Sequence, residues 1–320
     1  TRDVANLVNE LNDAGVDGLV IDLRGNGGGS LREANELTGL FIEYGPTVQI
    51  RGTGSRVWRD GKRRRGPYYD GPVAIMIDRL SASASEIFAG ALQDYGRAIV
   101  VGDRSFGKGT VQTLLDLPEG QLKITESKFY RISGDSTQHR GVIPDISYPS
   151  LLQHDEIGES SLDKALDWDR IAPVRHKDYG VVDAILPTLV AKHTERANSD
   201  PDFQYIWDQK ALSEKVRGAE VLPLNEAERI AQRTSQEIQY LAIENTRRQA
   251  KGMNALASLD DLVDGDDDSS DMPQDNAEEP SATSEDTEAD EADALITETA
   301  RILADAINLS GPVMARADSR

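Results

Sequence analysis

Short, wholly apolar runs alternate with helical patterns along the first 145 residues, and this alternation limits the folds open to the chain. Residues 18–23, 73–77 and 98–101 each have the composition of a buried strand, and residues 34–41 and 83–95 have helical spacing. Strands that are apolar along their whole length are typical of parallel sheets covered on both faces. The sequence therefore predicts an α/β fold with a mixed sheet and flanking helices.

After residue 108 the alternation of strand and helix signals gives way to two consecutive strand-like runs. Residues 110–115 and 122–125 are strand-like and flank a Pro-Glu-Gly turn, which predicts a hairpin. From residue 150 the sequence is polar with helical spacing, and residues 225–248 predict one long helix. We expect a core at residues 1–150, a helical region at 151–258, an acidic disordered linker at 259–293 and an amphipathic helix at 294–310.

Charge is concentrated in one stretch of the chain. Between Asp260 and Asp293 there are sixteen acidic residues and no Lys or Arg, so the rest carries only −5 of the net −21. Nucleic acid is excluded as an expected partner because phosphate binding needs a basic face. The absence of cysteine rules out disulfides and thiolate metal sites.

A glycine-rich turn, residues 24–29, follows the first predicted strand. It suits a flexible strand-to-helix connection, and it equally suits a cradle in which bare backbone N–H groups face an anion. The run Gly25-Asn26-Gly27-Gly28-Gly29-Ser30 lacks the last glycine of a dinucleotide fingerprint. A nucleotide cofactor is therefore not expected from this turn.

Three serines, Ser81, Ser83 and Ser85, lie between a buried strand and a helix. Ser83 with Glu86 three residues later fits a capping box, which favours a structural role. The same position suits a nucleophile, because a serine at a helix start can be held on a sharp turn with its hydroxyl exposed. The N–H of the next residue and the helix dipole would then stabilise an oxyanion.

The third segment, residues 102–110, nearly matches a phosphate-binding loop. However, Gly109 stands where a Ser or Thr would bind magnesium, and the residues that follow are strand-like rather than helical. Nucleotide binding through residues 102–108 is thus the weaker alternative. The glycines around Lys108 would let its backbone pack closely and bury the side chain.

Together, a serine after a buried strand and a glycine-flanked lysine suggest a serine–lysine dyad. A lysine acts as a base only when neutral, and burial favours the neutral form. The four histidines all lie outside these segments and outside any recognisable triad motif; they are His139, His154, His176 and His193.

The combined motifs resemble those of the carboxyl-terminal processing peptidases, most closely the bacterial tail-specific branch. The motifs are residues 22–29, 81–89, 102–112 and 140–146, and the resemblance covers residues 1 to about 250. In this family the nucleophile precedes the lysine by twenty-five residues. That spacing implies Ser83 as nucleophile, rather than Ser81 or Ser85, and Lys108 as general base.

Further roles follow from the resemblance alone. It implies that Gln112 orients the lysine and that Asp94 has a supporting role. It places the oxyanion hole on the backbone N–H of Ala84 and of Gly28 or Gly29. It implies a serine endopeptidase that acts through an acyl-enzyme and needs no metal or cofactor.

The resemblance also carries expectations beyond the motifs. It implies protein or peptide substrates with apolar C-termini, a periplasmic location and an upstream PDZ domain that this chain lacks, and it leaves an adaptor protein open. Some core strands would be missing too, so the isolated chain could carry the dyad and be inactive. The alternative from a different class is a non-catalytic scaffold that binds partners through residues 150–320.

Overall fold

The computed structural model describes residues 1–52, 54, 56–218, 221–262 and 293–310. These residues form two compact units. The first contains Thr1–Glu195 and the described residues from Leu295 onward, and the second contains the described residues within Arg196–Ala294. Most of the predicted acidic linker, residues 263–292, lies outside the described residues.

The strands of the first unit are, in chain order, β1 (Leu19–Asp22), β2 (Gly45–Gly52), β3 (Val57–Lys62), β4 (Val73–Ile77), β5 (Ile99–Gly102), β6 (Thr110–Asp116), β7 (Gln121–Tyr130) and β8 (Ile146–Ser147). Its helices are α1 (Arg2–Asp13), α2 (Leu31–Thr38), α3 (Ala84–Asp94), most of α4 (Val181–Ala197) and α7 (Ala294–Ser310).

A parallel sheet forms the centre of this unit, with strand order β1-β4-β5-β8. All five residues of β4 are buried, as a continuous apolar run in a doubly covered sheet requires. The aromatic rings of Phe41 and Phe88 meet edge to face in the core beside it. The three buried runs of the sequence are thus confirmed as neighbouring parallel strands.

A second, antiparallel sheet has the order β3-β2-β7-β6. The predicted hairpin is confirmed as β6 and β7. The expected mixture of parallel and antiparallel strands is therefore present, with the two kinds of pairing in separate sheets. Strands β2 and β3 were not expected from the sequence, because buried Gln49 interrupts the apolar run of β2 and β3 contains four polar or glycine residues.

The side chain of buried Gln49 forms two hydrogen bonds that connect β2 to other segments. Its amide donates to the main-chain carbonyls of Arg131 and Ala172, at 3.2 and 3.1 Å. A buried amide costs little once its hydrogen bonds are made. A polar residue in a strand therefore need not mark its outer face.

The predicted second helix is displaced by a few residues. We expected residues 34–41, but α2 spans Leu31–Thr38, with Ser30 as its N-cap accepting from Glu33 N. Phe41 is fully buried in the turn after the helix. Burial of residues just beyond a helix end can mimic its periodicity, so the sequence misplaced the boundary.

The second unit is helical, as predicted, and contains α5 (Pro201–Arg217) and α6 (Glu226–Ala250). Asn225 caps α6 by accepting from Glu228 N, which confirms the predicted long helix. Asp202 on α5 pairs with Arg247 on α6 and with Lys251, the C-cap residue of that helix. Among the helices that the structure describes, none combines the length and apolarity needed to cross a membrane.

The predicted terminal helix is confirmed as α7, whose residues from Leu295 onward belong to the first unit. Thr299 hydrogen-bonds to the hydroxyl of Tyr148 at 2.9 Å, and Glu298 contacts His193 at 3.0 Å. Both Glu298 and His193 are buried. This helix is therefore part of the same compact unit as the parallel sheet.

Three turns leave the parallel sheet at the same edge. They follow β1, β4 and β5, and contain the glycine-rich turn, the serine segment and the lysine loop respectively. The carboxyl ends of parallel strands are the usual place for a binding site in an α/β fold. The fold thus brings together the three segments that the sequence singled out.

Candidate active site

Ser83 and Lys108 line one open cavity of about 320 Å³ at the carboxyl edge of the parallel sheet. Both residues are half-buried. The remaining lining residues are Gly29, Ser30, Leu31, Ala84, Ile87, Thr110, Val111, Gln112, Lys123 and Phe129. A hydroxyl and an amine thus share a cavity whose walls include apolar side chains.

The turn that carries Ser83 is conformationally unusual. Ser83 has φ 58° and ψ −111° and immediately precedes α3. A positive φ is uncommon for a non-glycine residue, and such residues cluster at functional sites. Ser81 and Ser85 are engaged elsewhere, because their hydroxyls donate to the carbonyls of Leu23 at 2.8 Å and Asn26 at 3.0 Å.

The glycine-rich turn lies against the start of α3. Asn26 O accepts from Ala82 N at 3.0 Å, which fastens the two turns together. Gly28 has φ +97°, and a Cβ there would come within 2.5 Å of Ala82 O and 2.8 Å of Ala84 N. Only glycine fits this position, because the two backbones are in direct contact.

The two glycines proposed for the oxyanion hole differ in one respect. Gly28 N donates to Asn26 Oδ1 at 3.0 Å, so its hydrogen is already used. Gly29 N has no acceptor among the described residues, and Gly29 lines the cavity. Ala84 N belongs to the first turn of α3, where N–H groups have no acceptor within the helix. Of the three candidate N–H groups, those of Gly29 and Ala84 are therefore the two that could donate to a ligand in the cavity.

Glycines pack tightly on both sides of Lys108. A Cβ on Gly107, which has φ +94°, would lie 2.9 Å from the carbonyl carbon of His139, and one on Gly109 would lie 2.7 Å from Gln138 N. His139 N also donates to Gly107 O at 2.9 Å. The predicted close packing of the loop around Lys108 is confirmed.

The side chain of Glu86 accepts hydrogen bonds from both the serine turn and the Lys108 loop. Its carboxylate is buried, and Oε2 accepts from Ser83 N at 2.7 Å and from Lys108 N at 2.9 Å. Oε1 accepts from Ser105 Oγ at 2.5 Å and from Gly107 N at 2.7 Å. Burial raises the pKa of Glu86 to about 7, against the opposing effect of these four hydrogen bonds.

The sequence predicted the contact of Glu86 with the serine turn but not its contacts with the Lys108 loop. The contact to Ser83 N is the reciprocal bond expected from a capping box. The contacts to Gly107 and Lys108 were missed, because nothing in the spacing shows that the loop after β5 returns to α3. The burial of Glu86 depends on the folded structure, so the sequence held no signal for these contacts.

Nucleotide binding by the lysine loop is disfavoured by its hydrogen bonds. Each backbone N–H from residue 103 to residue 109 donates to a protein acceptor: Ile77 O, Asp103 Oδ1, Val142 O, Ser81 O, both oxygens of Glu86, and Gln138 Oε1. A phosphate-binding loop needs these groups free. Strand β6 follows the loop, where a phosphate site would have a helix.

Gln112 lies in β6 and lines the same cavity as Lys108. Residues 108 and 112 would share a face in a regular strand, but Lys108 precedes the strand and the β6–β7 register shifts between Val111 and Gln112. The structure nevertheless brings both side chains to the cavity wall.

Asp94 lies at the opposite end of α3 from Ser83. An eleven-residue helix is about 16 Å long, so this carboxylate is remote from the cavity. It pairs with Arg131 and accepts from Ser133 N at 3.2 Å, and its side chain is only 8% exposed. Its contacts are those of a residue that fixes α3 to the segment after β7.

The histidines do not line the cavity. His154 hydrogen-bonds to Asp103, His176 to the carbonyls of Val174 and Asp94, and His193 to Glu298. In the part of the chain that the structure describes, no three His, Asp or Glu side chains come together as a metal site would require.

Two family models match the chain. Residues 1–148 match peptidase family S41, and residues 152–308 match the C-terminal domain of tail specific protease (DUF3340). The chain is 39% identical over 274 residues to the tail-specific protease of Haemophilus influenzae, covering 82% of this chain and 39% of that protein. It is 44% identical over 131 residues to the carboxy-terminal-processing protease of Bartonella bacilliformis, covering 40% and 30%.

Among solved structures, the photosystem II D1 C-terminal processing protease is 33% identical with a TM-score of 0.40, covering 46% of this chain and 38% of that one. The chain spans between 30% and 39% of the length of the two curated relatives.

Proposed function

Because the chain belongs to peptidase family S41, we propose that it carries the catalytic centre of a serine endopeptidase with Ser83 as nucleophile and Lys108 as general base. One observation carries the proposal: Ser83, held at a positive φ at the start of α3, lines the same cavity as Lys108. The other two serines of the segment are occupied by hydrogen bonds to carbonyls.

In the first step, Ser83 Oγ attacks the carbonyl carbon of a peptide bond while its proton passes to Lys108 Nζ. The negative charge that develops on the carbonyl oxygen is stabilised by the N–H groups of Ala84 and Gly29. The C–N bond then breaks, the leaving amine takes the proton from Lys108, and an ester of Ser83 remains.

In the second step, water attacks this ester and gives up a proton to Lys108. The tetrahedral intermediate collapses, the C–O bond to Ser83 breaks, and Lys108 returns the proton to the serine oxygen. A carboxylic acid leaves and the enzyme is restored. Proton transfer by a positioned side chain is worth about 10²–10⁴-fold in rate.

Two further side chains support these steps. Gln112, on the same cavity wall as Lys108, orients the amine through its amide. Glu86 holds the peptide groups of Ser83 and Lys108 on a single carboxylate oxygen, which fixes the separation between nucleophile and base. Asp94 supports α3 from its far end and takes no part in the chemistry.

The substrates we propose are polypeptides with apolar C-terminal tails. The apolar side chains of Leu31, Ile87, Val111 and Phe129 line the cavity beside Ser83 and would favour an apolar chain there.

An upstream PDZ domain and a periplasmic location are proposed from the family resemblance. Fractionation of cells that express the full-length protein tests the location, and recovery in the cytoplasm would contradict it.

The test of the proposal is to trap the acyl-enzyme. The full-length protein is mixed with a polypeptide that has an apolar C-terminal tail, quenched in acid and analysed by peptide mass spectrometry. We expect the acyl group on the peptide that contains Ser83, and neither acylation nor cleavage in Ser83→Ala. Cleavage by Ser83→Ala at the parent rate would overturn the assignment.

A further inference from the structure

Residues 154–159, here called the 154–159 segment, run along the loop that carries Lys108. Glu159 N donates to Phe106 O at 3.0 Å, and Phe106 N donates to Ser81 O at 2.9 Å. The Lys108 loop is thus held between the serine turn on one side and the 154–159 segment on the other. This segment falls within the region that matches the C-terminal domain model.

Arg79 fastens the segment to the loop from inside. Its side chain is fully buried, and it donates to the carbonyls of Ser105, Ile157 and His154, the last two at 2.5 and 3.0 Å. All three of these partners are main-chain oxygens. A buried guanidinium without its acceptors is costly, so it holds the three carbonyls together in one arrangement.

Gly158 leaves room for this guanidinium. It has φ +137°, and a Cβ at this position would overlap Nη2 and Cζ of Arg79. A side chain here would displace either the arginine or the segment. The backbone of the segment is therefore fitted to Arg79 at atomic contact.

A second connection runs through side chains. The buried carboxylate of Glu159 accepts from Gln138 Nε2 at 3.0 Å, and Gln138 Oε1 accepts from Gly109 N at 2.9 Å. Gln138 therefore has a fixed amide orientation, with its donor on the segment and its acceptor on the loop. The loop receives one fixed bond on each side of Lys108, from Glu86 before it and from Gln138 after it.

Building on the proposed function, we infer that the 154–159 segment is part of the catalytic apparatus, with Arg79, Gln138 and Glu159 as positioning residues for Lys108. The C-terminal region then contributes to the chemistry through this segment, by fixing where the general base lies. Misplacement of a catalytic group by about 1 Å can cost a factor of about 10² in rate.

The sharpest comparison is between two variants of Glu159 in the full-length protein. Glu159→Gln keeps a carbonyl oxygen that accepts from Gln138, whereas Glu159→Ala removes the acceptor. We expect Glu159→Ala to lower kcat by about tenfold or more with KM within about twofold, and Glu159→Gln to stay within about threefold of the parent. The pH at which kcat/KM is half-maximal should also move in Glu159→Ala, which a general loss of folded protein would not cause.

A second measurement does not depend on activity. Hydrogen exchange of peptides covering residues 105–110 should speed up in Glu159→Ala and in Gly158→Ala, while exchange in β4 stays at the parent rate. Gly15→Ala is the matched control, because Gly15 also has a positive φ but no atom lies within 4 Å of its Cβ position. It should leave exchange in the loop unchanged.

The two proposals fail in different ways. If both Glu159→Ala and Gly158→Ala keep the parent kcat and the parent exchange in residues 105–110, the positioning role is wrong, whatever the nucleophile. If loop exchange speeds up as expected while Lys108→Ala still cleaves at the parent rate, the segment orders the loop but the proposed base is wrong.

Discussion

The main-chain N–H groups of Ser83 and Lys108 share one acceptor, the Oε2 atom of Glu86, at 2.7 and 2.9 Å. These residues are twenty-five positions apart, and they come from turns that follow different strands of the parallel sheet. A single buried carboxylate therefore sets the relative position of the proposed nucleophile and base.

Glu86→Gln should lower kcat by about ten- to a hundredfold. Above pH 7, where Glu86 is ionised, the glutamine amide group brings two N–H donors where the carboxylate had only acceptors. Either Ser83 N and Lys108 N or Gly107 N and Ser105 Oγ then lose their acceptor. Steady-state cleavage by the full-length protein measures this. Glu36→Gln, which alters only a surface ion pair with Arg32, is the control, and equal activity of both variants would count against the role of Glu86.

The stability of the protein should fall as pH rises toward 7. Folded Glu86 keeps its proton up to about pH 7, whereas the unfolded chain releases it near 4.5, so the folded state binds more protons between these values. The free energy of unfolding then decreases across this window and levels off above it. We expect this group to account for about 2–3 kcal/mol between pH 5 and pH 8.

Urea unfolding of the parent and of Glu86→Gln at several pH values isolates this contribution. The decline with pH should be smaller in the variant by the amount given above, because glutamine does not titrate. Parallel curves for the two proteins would show that Glu86 ionises in the folded state as it does in the unfolded chain.

Gly28→Ala should remove activity and lower stability by about 2 kcal/mol or more, because its Cβ would press on the backbone of Ala82 and Ala84. Gly27→Ala is the matched control one residue away, where no atom lies within 4 Å of the Cβ position. Cleavage rates and thermal melting distinguish the two. The contact between the turns would be unimportant if Gly28→Ala behaved like Gly27→Ala.

Asp94→Asn should weaken the fold and leave the chemistry intact. The change removes the charge that pairs with partly buried Arg131, which should cost about 1–3 kcal/mol in the free energy of unfolding. At a temperature where the variant is folded, kcat should stay within about threefold of the parent. A loss of a hundredfold or more in fully folded protein would instead place Asp94 in the catalytic mechanism.

Much of the site could be predicted from sequence because it depends on local signals. A buried strand followed by a serine and a helix fixes where Ser83 lies, and the glycines around Lys108 indicate a tightly packed loop. Parallel strands end at one edge of the sheet, so turns that follow them meet there. These inferences need only the order of elements along the chain.

The sequence did not show which distant segments pack against the Lys108 loop. Arg79 gave no sign of being buried, since arginine is mostly exposed and its acceptors here are main-chain oxygens. Gln138 and Glu159 lie in polar stretches without periodicity, and their roles depend on contacts across twenty-one to twenty-nine residues. Strand β3 was missed because most of its residues are partly or wholly exposed and polar.

The most direct test of the central claim compares two lysines that line the same cavity, Lys108 and Lys123. In the full-length protein, kcat/KM is measured for Lys108→Ala and Lys123→Ala on a polypeptide with an apolar C-terminal tail. If Lys108 is the general base, its variant should lose at least about 10³-fold and the Lys123 variant less than about tenfold. Cleavage by Lys108→Ala at the rate of Lys123→Ala would contradict the serine–lysine dyad.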